Sequence, residues 1–548
     1  MNTMGEHQAI RQIHSKRKEK DMKSRILKTH LKIAMFLLWA LFFTTSIGAA
    51  EVKYVFFFLG DGMSSSQIQT TEAYLASANA KSTRQALGPE AGNIDARLLM
   101  HPSNRLRFTQ FPIMGMQTTY DAYSLNTDSA SAGTAFASGI KTKSNMINMD
   151  PDQNQKFKSI AELAHERGMK VGILTSVSID HATPASYYAS VASRSYFNSI
   201  ASQLAASGFE FFGGGGFVSP QKAAKSGDTN NDVHALLKQN GYTILNDRSS
   251  ILNLKTQPKS KVVAINSWLQ DSAALPYHLD KIYYDEKNQN LTLSEMTEVA
   301  IANLEALDRK DGGKGFFIMV EGGKIDWACH ANDAMASILD MMDFDAAIGQ
   351  AIDFFIRHPN ETLIVVTGDH ETGGMSVGHA TTAYKAYYDK MFAQKASFQY
   401  FTDNQWKAHK QKYSQGYDGS KPDNLSSNAE MVALMHHVFG LDWNSLNDYQ
   451  KQRLEDAYDQ SMAGKSRNSD AANKLLYGGY EPITVTITHI LNETAGIGWT
   501  SYSHTGQPVP LFAKGYGAET FAGFYDNTDI AKKLASVMNI SQTLPVVK

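Results

Sequence analysis

A single cysteine, Cys329, stands among 548 residues, so no disulfide can form within the chain and stability must come from packing and from bound metals. No cysteine follows the N-terminal segment to carry a lipid, and no long hydrophobic tail at the C-terminus suits a lipid-linked anchor. The apolar run Ile33 to Phe43 stops at 11 residues, where a spanning helix takes about 20. No basic patch marks a nucleic-acid surface. The glycine run Gly213 to Gly216 lacks the Gly-Lys-Ser/Thr of a phosphate-binding P-loop and reads as a loop. Sequence repeats and low-complexity tracts are absent too.

What is present describes a globular protein: 43% hydrophobic and 19% charged residues can bury a sizeable core. The first fifty residues stand apart. A basic stretch ending at Lys32 leads into Ile33 to Phe43 and then the small residues Gly48, Ala49 and Ala50, the pattern of a signal peptide cleaved near Ala50, with a retained anchor as the alternative. Met22 opens a leader of more ordinary length and is a candidate start. Residues 1–50 thus read as leader and 51–548 as one exported domain, periplasmic or secreted, with no stable membrane span in the mature chain. The leader holds nine lysines and arginines against three acids while the whole chain sums to −2, so the rest is acidic. An acidic protein that binds anions must concentrate positive charge locally, through metals or arginine.

The run VKYVFFFL from Val52 predicts a fully buried strand ending in the turn residues Gly60 to Met63. A helix over Ser159 to Arg167, stopped by Gly168, precedes a strand from Val171. Thr292 and Glu295 have capping-box spacing and open a helix that turns Met296, Val299, Leu304 and Leu307 inward, followed by the strand Phe316 to Val320 and then Glu321. A long helix from about Asp333 to Arg357 ends before Pro359, and the strand TLIVVT ends before Gly368, Asp369 and His370. This alternation predicts a doubly wound α/β fold: a mostly parallel sheet, helices on both faces, and ligands beyond the carboxyl ends of the strands. Residues from about 380 to 500 break the rhythm and read as a helical insertion packed on the main domain, with an amphipathic helix at Met431, Leu434, Met435 and Val438 closed by Gly440.

Chemistry concentrates at those strand ends. Ser129, beside Asp128 and ahead of a small-residue run able to form a helix, would sit near a positive helix N-terminus. Alone, such a tripeptide is an ordinary N-cap. A serine hydroxyl needs a base or a metal to act as a nucleophile, and no GxSxG motif surrounds Ser129, which favours metal activation. Candidate ligands fall in four clusters. Asp61 in LGDGM is otherwise a plain Asp-Gly turn. Glu321, Asp326 and His330 lie in EGGKIDWACH, the last two four apart on one helical face. Asp369 and His370 are adjacent in TGDHETGG, and His504 in SHTGQPVP is a lone histidine of little weight by itself. His436 and His437 read as solvated positions on the insertion's helix.

Taken in order, LGDGM, DSASAGT, DHATPASYYASVASR, VEGGKIDWACH, TGDHETGG and HTG resemble the alkaline phosphatase family, over roughly residues 52 to 525. The resemblance implies one catalytic domain that hydrolyses small phosphate monoesters of broad range, outside the cytoplasm, through a phosphoserine at Ser129. It implies two zincs and one magnesium, with Asp326, His330 and His504 on one zinc and Asp61, Asp369 and His370 on the other. Asp61 would serve again with Thr183 and Glu321 on the magnesium. Arg194 would grip two phosphate oxygens, which suits a guanidinium better than an ammonium. One zinc would activate Ser129 and the other receive the departing alkoxide. A homodimer is implied as well. Cys329, although beside a ligand, is not one in the family.

Three positions depart from the family pattern. His181 stands where some bacterial members have aspartate and would touch the magnesium through water, which leaves occupancy of that site open. Trp327 replaces the lysine or histidine that follows the corresponding aspartate elsewhere, removing a positive or titratable group near the phosphate. Asn126 takes the place of isoleucine or valine, a matter of packing more than chemistry. The rival readings are a phosphodiesterase or sulfatase of the same superfamily and a non-catalytic phosphate or metal binder. Arg194, Thr183 and Glu321 favour the monoesterase, the sulfatase signature CxPSR is absent, and the full ligand set argues against the binder.

Overall fold

In the computed structural model, which describes residue 22 and residues 52–80, 98–464 and 468–548, ten strands form one sheet. They are β1 Tyr54–Gly60, β2 Ile113–Thr118, β3 Lys170–Thr175, β4 Phe211–Gly214, β5 Thr243–Leu245, β6 Val262–Ile265, β7 Phe316–Glu321, β8 Thr362–Gly368, β9 Val509–Gly515 and β10 Gly523–Asp526. Their order is β10-β2-β9-β8-β1-β7-β3-β4-β6-β5. Only β9 runs against its neighbours, β2 and β8; the other pairs are parallel. Apart from residue 22, the expected leader lies outside the described residues, as does its cleavage near Ala50.

Side chains of a strand alternate between the two faces of its sheet, and here both faces are covered. Tyr54, Phe56 and Phe58 of β1 enter one core, while Val55, Phe57 and Leu59 enter the other. Phe316, Ile318 and Val320 of β7 and Ile364 and Val366 of β8 join the first core; Phe317, Met319, Leu363 and Val365 join the second. This is why VFFFL reads as a continuous apolar run rather than an alternating one.

The helices sort to the same two faces. Helix α1 spans Ser65–Ala80, α2 Ser129–Ser138, α3 Ile160–Glu166, α4 Leu293–Lys310, α5 Lys324–His330 and α6 Ala334–Arg357. Phe136 of α2 and Ile160 and Leu163 of α3 pack on one side of the sheet, and Met296, Val299 and Leu304 of α4 with Phe344 and Ile348 of α6 on the other. Their starts follow local chemistry. Thr292 accepts from the Glu295 N–H at 3.1 Å while the Glu295 carboxylate accepts from the Thr292 N–H at 2.9 Å, which closes the expected capping box. Asp333 caps α6 by accepting from the Ala336 N–H.

The 380–500 region is largely helical, including α7 Ala429–Phe439, α8 Asp448–Ala463 and α9 Pro482–Ala495. It builds its own core from Met431, Met435, Leu454 and Ile487, joined to Ala73 of α1, Cys329 of α5 and Ile338 of α6. His436 and His437 are exposed on α7. The loop expected at Gly213 to Gly216 is corrected, since Gly213 and Gly214 belong to β4. Close backbone approach explains two of the four glycines: a Cβ on Gly214 would lie 2.1 Å from the Thr175 carbonyl oxygen, and on Gly215 2.4 Å from that of Val177. No helix among the described residues is long and apolar enough to cross a membrane.

Four adjacent parallel strands, β8, β1, β7 and β3, finish together at one sheet edge. Gly60 stands opposite Gly368, and Glu321 lies level with Leu59 and Thr175. Loss of the Thr292 cap in Thr292→Ala is expected to lower unfolding free energy by about 1 kcal/mol. Phe57→Ala, which empties space beneath the central strand, should lower it by about 3–5 kcal/mol. Urea unfolding of the two variants checks the ordering.

Candidate active site

The strand ends deliver three carboxylates into one place. Asp61 follows β1, Glu321 ends β7 and Asp369 follows β8, and all three are fully buried. Gly62 makes the turn with φ +73°, where a Cβ would lie 2.8 Å from Cα of Asp326. Its N–H donates to Asp369 Oδ1 at 3.0 Å and ties the ends of β1 and β8 together. Burial and the nearby Asp326 charge push Asp61 up to about 7. Burial and the charge of Asp61 hold Glu321 and Asp369 well above the usual carboxylate range. Asp61 Oδ1, Glu321 Oε1 and Asp369 Oδ2 accept no hydrogen bond.

Three histidines aim their Nε2 atoms at the same region. His330 Nδ1 is 2.6 Å from the Tyr502 carbonyl oxygen and His504 Nδ1 is 2.7 Å from that of Thr127. Both must donate there, so that in the neutral rings Nε2 is the acceptor; the two Nε2 atoms lie 3.0 Å apart. The Thr372 hydroxyl donates to Asp326 Oδ1 at 2.5 Å, so it can only accept from His370 Nδ1 at 3.2 Å, and His370 Nε2 is an acceptor too. Burial opposes charge on His330, yet Asp326, 3.3 Å away, overcomes it and pushes His330 up to about 9. Burial and His504, stacked at 3.5 Å between ring centroids, push His370 well below the ordinary imidazole range.

Ligand atoms of Asp61, Asp369 and His370 lie within 4.8 Å of one another, as do those of Asp326, His370 and His504 and those of Asp61, His181 and Glu321. His330 adjoins the second group through Asp326 and His504. Thr183 Oγ1 is 3.4 Å from Asp61 Oδ2. Buried acceptors that face one another without donors fit divalent cations, and imidazoles fixed through Nδ1 have the tautomer that metal ligation needs.

Ser129 is the first residue of α2. Asp128 caps that helix, accepting from the Ser131 N–H at 3.0 Å. The nearly buried Ser129 hydroxyl lies 3.4 Å from His370 Nε2. The other oxygen of Asp128 accepts from Arg194 at 3.0 Å and from the Asn145 N–H at 3.0 Å. Against its burial, Arg194 holds Asp128 below the usual carboxylate range. A second guanidinium nitrogen is 3.3 Å from His181 Nε2, and burial together with Arg194 pushes His181 down to about 3, so it is neutral. Trp327 meets the His181 ring at 5.6 Å, nearly edge to face. Asn126 is exposed, with its N–H on Ser124 Oγ at 3.2 Å, which corrects the packing role expected of it.

The structure therefore gathers every candidate residue named from the sequence and adds three. Thr372 orients Asp326 and His370, and Thr175 donates to Glu321. Thr372 lies within TGDHETGG and Thr175 ends β3, but neither residue type stands out in such places. Lys324 is fully buried with no hydrogen-bond partner on Nζ, which sits 3.7 Å from the Tyr277 ring centroid and 4.8 Å from that of Trp327.

The family model described as Alkaline phosphatase matches residues 52–540. Alkaline phosphatase 3 of Bacillus subtilis (strain 168) is 32% identical over 494 residues, 88% of each chain, and alkaline phosphatase 4 of the same organism is 29% identical over 502 residues, 89% of each chain. Among solved structures, the cold-active alkaline phosphatase of the psychrophile Shewanella sp. superposes with a TM-score of 0.63 at 25% identity, covering 88% of this chain and 99% of that one. The alkaline phosphatase of the Antarctic bacterium TAB5 gives 0.54 at 26% identity, covering 90% and 99%.

Stripping bound cations should lower the melting temperature, and the gap from cation-loaded protein should widen between pH 7 and pH 9. In the folded, metal-free chain His330 holds its proton up to about 9, against about 6.5 when unfolded. Glu321 and Asp369 are raised in the same sense. A raised group loses its stabilising contribution as pH climbs from the unfolded value through the folded one. Scanning calorimetry of chelated and loaded protein at both pH values checks this, and a gap that stays constant or narrows counts against the buried site.

Proposed function

The chain belongs to the alkaline phosphatase family of metal-dependent phosphatases, and we propose that it hydrolyses phosphate monoesters through a phosphoserine at Ser129, on a site for two zincs and one magnesium. The observation that carries this reading is the 3.4 Å approach of the Ser129 hydroxyl to His370 Nε2, among buried acceptors and beside the Asp128–Arg194 pair.

Imidazole nitrogens with carboxylates suit zinc, so Asp326, His330 and His504 are assigned to one ion and Asp61, Asp369 and His370 to the other. The Thr183 hydroxyl with Asp61 and Glu321 suits magnesium, with His181 at its edge. When bound, the cations favour the serine alkoxide and neutralise charge on the departing oxygen. Arg194, held in place by Asp128, grips two phosphate oxygens. Ser129 Oγ bonds to phosphorus as the ester oxygen leaves toward Asp326, His330 and His504. Water entering from that side then attacks phosphorus, breaks its bond to Oγ and restores Ser129. A loosely bonded phosphoryl group asks mainly for charge stabilisation, to which the N-terminus of α2 contributes. With His181 neutral and Trp327 uncharged, the side-chain grip on phosphate falls to Arg194. In the same reading residues 51–548 act as one catalytic domain with an insertion, exported behind the 1–50 leader to the periplasm or medium, as a homodimer.

Purified protein assayed on a chromogenic monoester and a diester, before and after chelation and with zinc and magnesium returned, tests the proposal. Monoester turnover should vanish on chelation and return with the metals. It should fall on the order of 10⁴-fold in Ser129→Ala, and kcat/KM should fall about 10- to 100-fold in Arg194→Lys. Turnover that survives chelation or Ser129→Ala overturns the mechanism, and a diester rate equal to the monoester rate overturns the substrate class.

A further inference from the structure

A cavity of about 450 Å³ opens beside the site. His330 lines it, with the rings of Trp327, Phe398 and Tyr480 and the carboxylates of Asp271, Asp403 and Glu481. The rings are braced: Phe398 meets Tyr480 edge to face at 5.5 Å and Tyr277 at 5.7 Å. Asp271 and Asp403 are exposed and bonded to neutral groups, the Ser272 hydroxyl at 3.2 Å and the Gln399 amide at 3.1 Å. No lysine or arginine is among the residues lining the cavity. The buried Lys324 lies against the Trp327 ring and is met chiefly by Asp340 and Asp280 and to a smaller degree by Asp271, so one cation faces three rim carboxylates whose net charge stays negative. A second cavity of about 480 Å³ continues past Asp271 and Asp403, which line both.

We propose that this cavity receives the alcohol portion of the substrate and selects monoesters whose alcohol carries an ammonium or other cationic group. The inference rests on the reading above, in which the ester oxygen departs toward Asp326, His330 and His504. Because His330 also lines the cavity, the alcohol is delivered there. Aromatic faces and carboxylates both attract a cation, and a quaternary ammonium, weakly hydrated and apolar at its surface, gains most from ring contact. The site is thereby polarised along one line, with Arg194 and the cation ligands at the phosphate end and an acidic, aromatic pocket at the other. A zwitterionic ester matches both ends, a neutral alcohol fills the space without the attraction, and an anionic alcohol is repelled.

Choline phosphate and 3,3-dimethylbutyl phosphate share a shape and differ in the charge of the alcohol. The readout is the ratio of their kcat/KM values on the metal-loaded full chain, compared with the same ratio in a triple variant, Asp271→Asn, Asp403→Asn and Glu481→Gln. Taking a ratio on each preparation cancels any loss of folded protein and any difference in intrinsic leaving ability. The ratio should drop about tenfold in the variant, equivalent to two or three exposed ion pairs, and should shrink in the unaltered protein as salt is raised. A second variant, Tyr480→Leu, should lower the ratio in the same direction. A ratio left unchanged by the triple variant and by salt overturns the subsite while the monoesterase reading stands. No turnover of either ester overturns that reading itself, and the subsite with it.

Discussion

Asp61, Glu321 and Asp369 are brought to one buried place by the register of three neighbouring strands, and each keeps a carboxylate oxygen without a hydrogen bond. Like charges so confined cannot all ionise in a low-dielectric interior unless cations stand among them. The surrounding features follow from that condition. Gly62 passes close enough to Asp326 to exclude a side chain, and its N–H anchors Asp369. The Tyr502 and Thr127 carbonyls and the Thr372 hydroxyl each take the Nδ1 proton of one histidine, so that three nitrogen lone pairs add to the carboxylate oxygens. A site so poor in donors is organised for something positive that is not part of the chain.

Asp128 ties the remaining pieces to that centre. One of its oxygens caps α2 and so fixes where Ser129 begins the helix; the other fixes Arg194. Hydroxyl and guanidinium are thus positioned by a single carboxylate, and displacement of one disturbs the other. Lys324 plays the opposite part, a cation buried without a hydrogen bond. Burial pulls its pKa down to about 8 against the pull of Asp340 and Asp280, and it packs under the Trp327 ring at the edge of the pocket.

Much of this was legible in the sequence because its causes are local. Continuous apolar runs announced strands covered on both faces, Thr292 and Glu295 announced a helix start, and the acids at strand ends pointed to the sheet edge where α/β proteins bind ligands. Other features depend on residues far apart in the chain. Periodicity could not bring His504 to His330, since they are 174 positions apart; only the likeness of HTG to a family motif suggested it. Thr175 and Thr372 escaped notice because a threonine at a strand end or in a glycine-rich loop is commonplace until its hydroxyl is seen to orient a carboxylate. Gly213 and Gly214 misled because glycine weakens strands in general, whereas here the Thr175 carbonyl approaches Gly214 so closely that no other residue fits.

The position of β9 bears on the order in which the molecule is assembled. Among the described residues β2, near residue 115, pairs only with β9 and β10, both beyond residue 508. Closing contacts separated by almost four hundred positions is slow compared with local pairing. One edge of the sheet therefore stays open until the last tenth of the chain arrives, and His504, just before β9, arrives with it. A ribosome-bound or C-terminally shortened chain would lack a sheet edge and a histidine of the site at once, so completion of the site is timed to completion of the fold.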